Sequence, residues 1–284
     1  MTDAVFLDYD QRALDRAFDQ RAWAVNAGEV LERHKVAGRI LREGLTLRAD
    51  RPYGRGADER LDVYVTHVPS APIHMHVHGG AWRWLGKGDV GLSAPLIVAG
   101  GRHFIAPDFS ALPDVPLPVV VDQLARAIAW IYENAATFGG DKDRIHISGH
   151  SSGAHLCAVL LALDMTRYGL PADILKGGIC ISGIFDMEPV LLSARGSYVK
   201  LTHDESELLS PVRQTQYIKC PVSVVYAEGD SPEFIRQSKQ FHAALTMQGA
   251  STELIEVSSV NHFEVAETLS SLVFRCIGSR PRSR

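Results

Sequence analysis

The period of the apolar positions changes along the chain, and each change marks a new element. Residues 9–45 are charged and alanine-rich, with Leu14, Phe18, Trp23, Val25, Val30 and Leu31 spaced as on amphipathic helices. Residues 61–68 and 72–78 then read as two strands around the turn Pro69-Ser70-Ala71-Pro72. Residues 103–106 form a further strand, and residues 119–138 carry a helical stripe of Val120, Leu124, Ile128 and Ile131. Strand patterns at 145–148, 178–182, 222–226 and 253–257 alternate from there with helical patterns at 152–163, 232–247 and 263–277. This order predicts an α/β architecture, a mostly parallel sheet with helices on both faces and ligand-binding residues in the loops after strands. Between residues 183 and 220 the alternation breaks, and 185–217 reads as a small cap-like insertion over the site. Residues 1–284 are thus expected to form one domain, with 1–50 as a helical N-terminal leader; neither repeats nor low-complexity segments stand out.

Composition narrows the function. The 284 residues are 46% hydrophobic and 22% charged, ordinary for a globular protein, and a net charge of −4 opposes nucleic-acid or anionic-membrane binding by bulk electrostatics. The tail Arg280-Pro281-Arg282-Ser283-Arg284 reads as a frayed end. Cys157, Cys180, Cys220 and Cys276 lack C-x-x-C spacing, and all but Cys220 lie in apolar runs, so buried free thiols are expected. Met1-Thr2-Asp3-Ala4 opens neither a basic nor an apolar leader, and no run approaches the roughly 20 apolar residues of a membrane helix, so a cytoplasmic location is expected. The 12 histidines show no His-Glu-x-x-His spacing. His74, His76 and His78 alternate along one strand face and could in principle bind zinc, but His78 has a better assignment, and no metal or cofactor is expected. The expected partner is a small-molecule substrate; a homodimer stays open.

Gly149-His150-Ser151-Ser152-Gly153 follows the β-branched run 145–148 and opens the apolar stretch 154–163, which places Ser151 at a strand-to-helix corner. Such a turn holds a serine with Oγ clear of the backbone and the next N–H at a helix N-terminus, the layout of a nucleophile elbow. About 70 residues upstream, His78-Gly79-Gly80-Ala81-Trp82 follows a strand, and its glycines let backbone amides turn toward an anion. The amides of Gly79, Gly80 and Ser152 are expected to form an oxyanion hole, each donor lowering the barrier by about 3 kcal/mol. Asp230 comes directly after the strand at 222–226 and is the preferred acid; Glu233 and Glu228 beside it are alternatives. His262, in the loop after the last strand, is the expected general base, whereas His150 and His155 are expected to point elsewhere and His242 lies mid-helix. The chain order Ser151, Asp230, His262 is the one an α/β-hydrolase requires.

Over nearly its whole length the chain resembles the α/β-hydrolase superfamily, and within it the hormone-sensitive-lipase-like branch that carries His-Gly-Gly-x-Trp. Four blocks are similar to kynurenine formamidase (arylformamidase) signatures: Gly149-His150-Ser151-Ser152-Gly153-Ala154-His155-Leu156, Ser182-Gly183-Ile184-Phe185-Asp186-Met187-Glu188-Pro189, Asp230-Ser231-Pro232-Glu233-Phe234 and Asn261-His262-Phe263-Glu264. The resemblance implies an α/β-hydrolase fold that cleaves N-formylkynurenine to kynurenine and formate, with Ser151, Asp230 and His262 as triad. Animal members carry a tyrosine where this chain has Ala81, so the acyl and leaving-group pockets are free to differ. Trp82, Trp84, Phe109 and Tyr198 are candidate walls for an aryl group. Bacterial-type relatives look like small-ester hydrolases, which keeps a broad carboxylesterase as the alternative. A non-catalytic ligand-binding homologue is the third reading, opposed by the filled triad positions.

Overall fold

Side chains that alternate between two apolar layers build the centre of the molecule, and they do so on eight strands. The computed structural model describes residues 4–277, so the tail 280–284 lies outside the described residues. The strands are β1 (Leu47–Pro52), β2 (Arg60–Tyr64), β3 (Ala71–Val77), β4 (His103–Pro107), β5 (Gly140–His150), β6 (Leu175–Ile181), β7 (Val222–Gly229) and β8 (Thr252–Asn261). They form one sheet in the order β1-β2-β4-β3-β5-β6-β7-β8. The β1–β2 and β2–β4 pairs are antiparallel and the other five are parallel.

The helices are α1 (Gln11–Phe18), α2 (Ala27–Arg42), α3 (Ala94–Ala99), α4 (Leu117–Asn134), α5 (Ser152–Ala162), α6 (Glu188–Leu192), α7 (His203–Leu208), α8 (Pro232–Met247) and α9 (Leu269–Ile277). On one face of the sheet Ile105, Cys180, Val222 and Val224 pack under α1, α4, α5 and α8. On the other, Phe104, Ile179, Val225 and Ala227 meet Ala94 and Ile97 of α3 and Leu272 and Val273 of α9. Neighbouring residues of one strand therefore enter opposite layers, as a pleated strand buried on both faces requires. Among the described residues no helix is long and apolar enough to cross a membrane.

Several expected boundaries moved. β1 occupies the end of the stretch 1–50 expected to be helical. Its residues are mostly exposed and charged, and as an edge strand paired on one side only it carries no apolar alternation to read. The leader breaks between α1 and α2, leaving Trp23 and Val25 exposed in the connection, Val25 completely. The helix expected at 263–277 opens as a 3₁₀ turn, Glu264–Thr268, before α9. The short α3 carries too few residues to show a period.

Of the alternating histidines, two share one hydroxyl and the third turns away from them. His74 Nε2 and His76 Nδ1 each lie 2.7 Å from the Ser148 hydroxyl on β5, while the His78 ring stacks on Phe109 at 4.2 Å. Burial lowers the pKa of His76 to about 3 and those of His146 and His155 to about 4, so the folded protein holds them neutral. In the unfolded chain they take protons near the ordinary imidazole value of about 6.5. Their contribution to stability is therefore complete above about pH 6.5 and is lost as pH falls from there toward 4. Calorimetric melts are expected to show Tm falling steadily from pH 6.5 to 5, with proton uptake on unfolding, and no histidine-driven slope between pH 7.5 and 8.5.

Candidate active site

Because β3, β5, β7 and β8 run parallel, the loops that follow them emerge at the same edge of the sheet. β5 enters α5 through Ser151, whose backbone sits at φ 57°, ψ −124°. That region is strained for a side chain, and close packing holds it there. A Cβ on Gly149 would overlap the carbonyl of Gly153, and one on Gly153 the carbonyl of Val77 in β3. The Ser151 N–H donates to Ile181 O at 2.9 Å, tying the turn to β6.

His262, after β8, meets Ser151 and Asp230 together. Its Nε2 lies 3.0 Å from Ser151 Oγ and its Nδ1 2.6 Å from Asp230 Oδ1. The other carboxylate oxygen, Oδ2, accepts from the Ser182 hydroxyl at 2.6 Å and from the Ala227 N–H at 2.9 Å. A carboxylate on Nδ1 fixes the tautomer that leaves Nε2 free to accept the serine proton. Phe234 and Phe263 set their rings nearly perpendicular to the imidazole, at 5.1 and 5.3 Å, and His262 is 3% exposed. The alternative acids are engaged elsewhere: Glu233 accepts two bonds from Arg236 and one from Gln237, and Glu228 accepts the Ser259 N–H.

The loop after β3 lies against this elbow. A Cβ on Gly79 would come 2.9 Å from His150 O and 3.2 Å from Ser151 Cβ, so only glycine lets the two backbones approach. Ser152 opens α5, where its N–H has no intrahelical acceptor. Its Oγ accepts the Trp82 N–H at 3.1 Å and locks the two loops together. Gly79, Gly80 and Ser151 line one cavity of about 540 Å³.

Of the four aromatic walls expected from the sequence, only Trp84 reaches this cavity. Trp82 is completely buried, its Nε1–H donating to His155 Nδ1 at 3.2 Å. Phe109 is spent on the His78 ring, and Tyr198 lies under the Arg83 guanidinium at 4.6 Å. The cover also differs from the expectation. The insertion 185–217 contributes Arg195 alone, whereas the leader supplies Phe18, Asp19, Gln20, Arg21, Leu31 and His34. Hydrogen bonds next to the site account for this. The Gln20 side chain exchanges two bonds with Ser231, at 2.9 and 3.1 Å, and Ser231 Oγ donates to Ala17 O at 2.6 Å. Asn26 bonds Asn261 and Glu264 at 2.8 Å each. The leader is thus gripped by Ser231 after Asp230 and by Asn261 and Glu264 on either side of His262, and the insertion is tied to it through Gln11 to Leu192 O and Ala194 to Asp15.

Two residues at the site were not foreseen. His150, expected to point away, faces the cavity, its Nε2–H donating to the His262 carbonyl at 2.7 Å; burial holds its pKa well below the ordinary imidazole value. Ser182 supports Asp230 from the end of β6, inside a block that the sequence singled out only by resemblance.

A family model described as BD-FAE matches residues 61–178. The kynurenine formamidase of Danio rerio is 33% identical over 227 residues, 78% of this chain and 76% of that protein. That of Salmo salar is 31% identical over 280 residues, 92% of each. The chain belongs to the kynurenine formamidase family. Proteins named as esterases are among the further relatives, and the chain is a hydrolase of formamidase or esterase type. A solved structure described as a putative thioesterase from silicibacter sp. tm1040 superposes with a TM-score of 0.78 over 90% of this chain and 94% of that one; at 24% identity it shows the shared α/β-hydrolase fold.

Removing the Ser182 hydroxyl leaves the buried Asp230 carboxylate one donor short, and hydrogen bonds to charged groups contribute about 2 kcal/mol. Ser182→Ala is expected to lower unfolding free energy by about that amount in urea titrations, with the slope unchanged.

Proposed function

We propose that this protein hydrolyses an aryl formamide such as N-formylkynurenine, with Ser151 as nucleophile, His262 as general base and acid, and Asp230 as the group that orients it. The continuous hydrogen-bond chain from Asp230 through His262 to Ser151 carries the reading. His262 Nε2 takes the Ser151 proton as Oγ attacks the formyl carbon, and Asp230 stabilises the imidazolium that forms. Negative charge on the carbonyl oxygen is met by the N–H groups of Gly79, Gly80 and Ser152. His262 then returns the proton to the departing aryl amine, leaving a formyl ester on Ser151. A water that gives its proton to the same nitrogen attacks that ester and releases formate.

Family membership over most of the chain supports the formamide. A short-chain carboxylic ester presents the same carbonyl to the same donors, and with esterases among the relatives a broad carboxylesterase is the second reading. We also propose a cytoplasmic site of action, supported by four free cysteines, two of which, Cys157 and Cys180, meet as a thiol hydrogen bond of 3.9 Å, the Cys180 thiol donating.

A fluorophosphonate probe is expected to label the wild type and not Ser151→Ala. Ser151→Ala and His262→Ala are expected to lose several orders of magnitude in kcat, and Asp230→Asn about 10⁴-fold, with melting curves retained. Rates on N-formylkynurenine against p-nitrophenyl acetate and butyrate separate the two substrates: a dominant formamide rate supports the first reading, a dominant ester rate the second.

A further inference from the structure

His150, the residue before the nucleophile, lines the cavity with its ring 4.8 Å from that of His262. Its Nε2 lies 2.7 Å from the His262 carbonyl oxygen. A carbonyl oxygen only accepts, so Nε2 carries the hydrogen and, in the neutral ring, Nδ1 keeps a lone pair. Burial first, and the neighbouring His262 second, keep the ring neutral by lowering its pKa. No described residue donates to that Nδ1. Gly79 fixes where it stands. A Cβ on Gly79 would come 3.4 Å from Nδ1 and 3.2 Å from Ser151 Cβ, so the lone pair, the nucleophile and the loop after β3 surround one point.

An acceptor at that point tells amides from esters. When Ser151 Oγ has added to a formamide, the nitrogen becomes pyramidal, and its own lone pair must face the His262 Nε2–H to take the proton that lets the C–N bond break. The hydrogen already on nitrogen is then turned away from His262, and once the aryl group fills the cavity it has only the protein to bond. Both hydrogens leave with the aryl amine, the formyl group stays on Ser151, and His262 is neutral again. An ester oxygen carries no hydrogen and leaves Nδ1 without a bond. We propose that His150 Nδ1 accepts the N–H of the scissile amide and thereby sets a preference for formamides over esters. The proposal deepens the reading above, on which it rests, by assigning the residue that separates its two substrate classes. A site built to bond a substrate N–H discriminates against the analogue that lacks it, because the site's own polar group is then left unpaired. The bond is completed only as the nitrogen turns pyramidal, so its effect lies mainly in kcat.

The test compares formanilide with phenyl formate, which share acyl and aryl groups and differ in N–H against O. His150→Gln keeps a donor within reach of the His262 carbonyl but leaves no acceptor where Nδ1 stands. His150→Asn puts its amide oxygen at the place of Nδ1 and falls short of that carbonyl. Whatever rate both substrates lose in common, the ratio of their kcat/KM values is what is read. In His150→Gln the ratio of formanilide to phenyl formate is expected to fall about tenfold or more, mainly through kcat, and in His150→Asn to stay within about threefold of the wild type. An unmoved ratio in His150→Gln, or an equal fall in His150→Asn, overturns the proposal. N-Methylformanilide, which lacks the hydrogen, tests the wild type itself: with each rate divided by that of alkaline hydrolysis, it is expected to be at least about tenfold poorer than formanilide. Parity there overturns the proposal even should neither variant fold. Formanilide cleavage with the ratio unmoved in His150→Gln leaves the formamide reading standing, whereas turnover of phenyl formate with none of formanilide or N-formylkynurenine overturns that reading and the acceptor together.

Discussion

The close approach of backbone to backbone around Ser151 is the constraint on which the rest depends. Gly149 and Gly153 lie against each other, Gly153 also lies on the end of β3, and Gly79 lies on the elbow, so three chain segments meet with no side chain between them. This contact keeps Ser151 in the left-handed region and brings the β3 loop beside its hydroxyl. A methyl group at any of these glycines would push the three segments apart. Strain at a functional residue persists only where the surroundings over-determine it, and here the parallel sheet does so.

Around that contact the molecule is arranged as a floor of sheet edge and a tied cover. The floor is the sheet edge, from which Ser151, Asp230 and His262 rise on three separate loops. The cover is the N-terminal leader, held by Gln20 to Ser231 and by Asn26 to Asn261 and Glu264. These bonds end on residues within two positions of Asp230 and His262, so disturbing the leader also disturbs the loops that carry them. Arg195 joins cover to insertion by donating to Phe18 O. The cavity is therefore closed by segments roughly 180 residues apart in the chain, stitched to one another before they meet the floor.

Several buried polar groups around the site have complete hydrogen bonding. Asp230 has a partner on each oxygen, and His155 uses both ring nitrogens, accepting from Trp82 and donating to Leu209 O. Burial also keeps the His155 imidazole neutral in the folded protein. Arg195 differs in that only one terminal nitrogen, Nη2, is bonded, to Phe18 O, while Nη1 is buried without a partner.

The alternation of strand and helix, the elbow at Ser151 and the glycines at 79 and 80 were legible because each is a local rule: a period of two or 3.6, or a turn that only certain residues allow. The positions of Asp230 and His262 followed from chain order together with the rule that parallel strands end at one edge. Local rules do not reach across the fold, and there the reading failed. Trp82 and Phe109 are aromatic and follow the ends of β3 and β4, where a substrate wall would be, yet one is taken up by His155 and the other by His78. His150 and Ser182 gained their partners, and Phe18 and Gln20 their place over the cavity, from contacts between distant segments. By itself the sequence determined which residues are chemically able and which element carries each; which way those side chains face, what covers them and which nitrogen is left without a partner were decided only by tertiary packing, because those depend on distances that no one-dimensional pattern encodes.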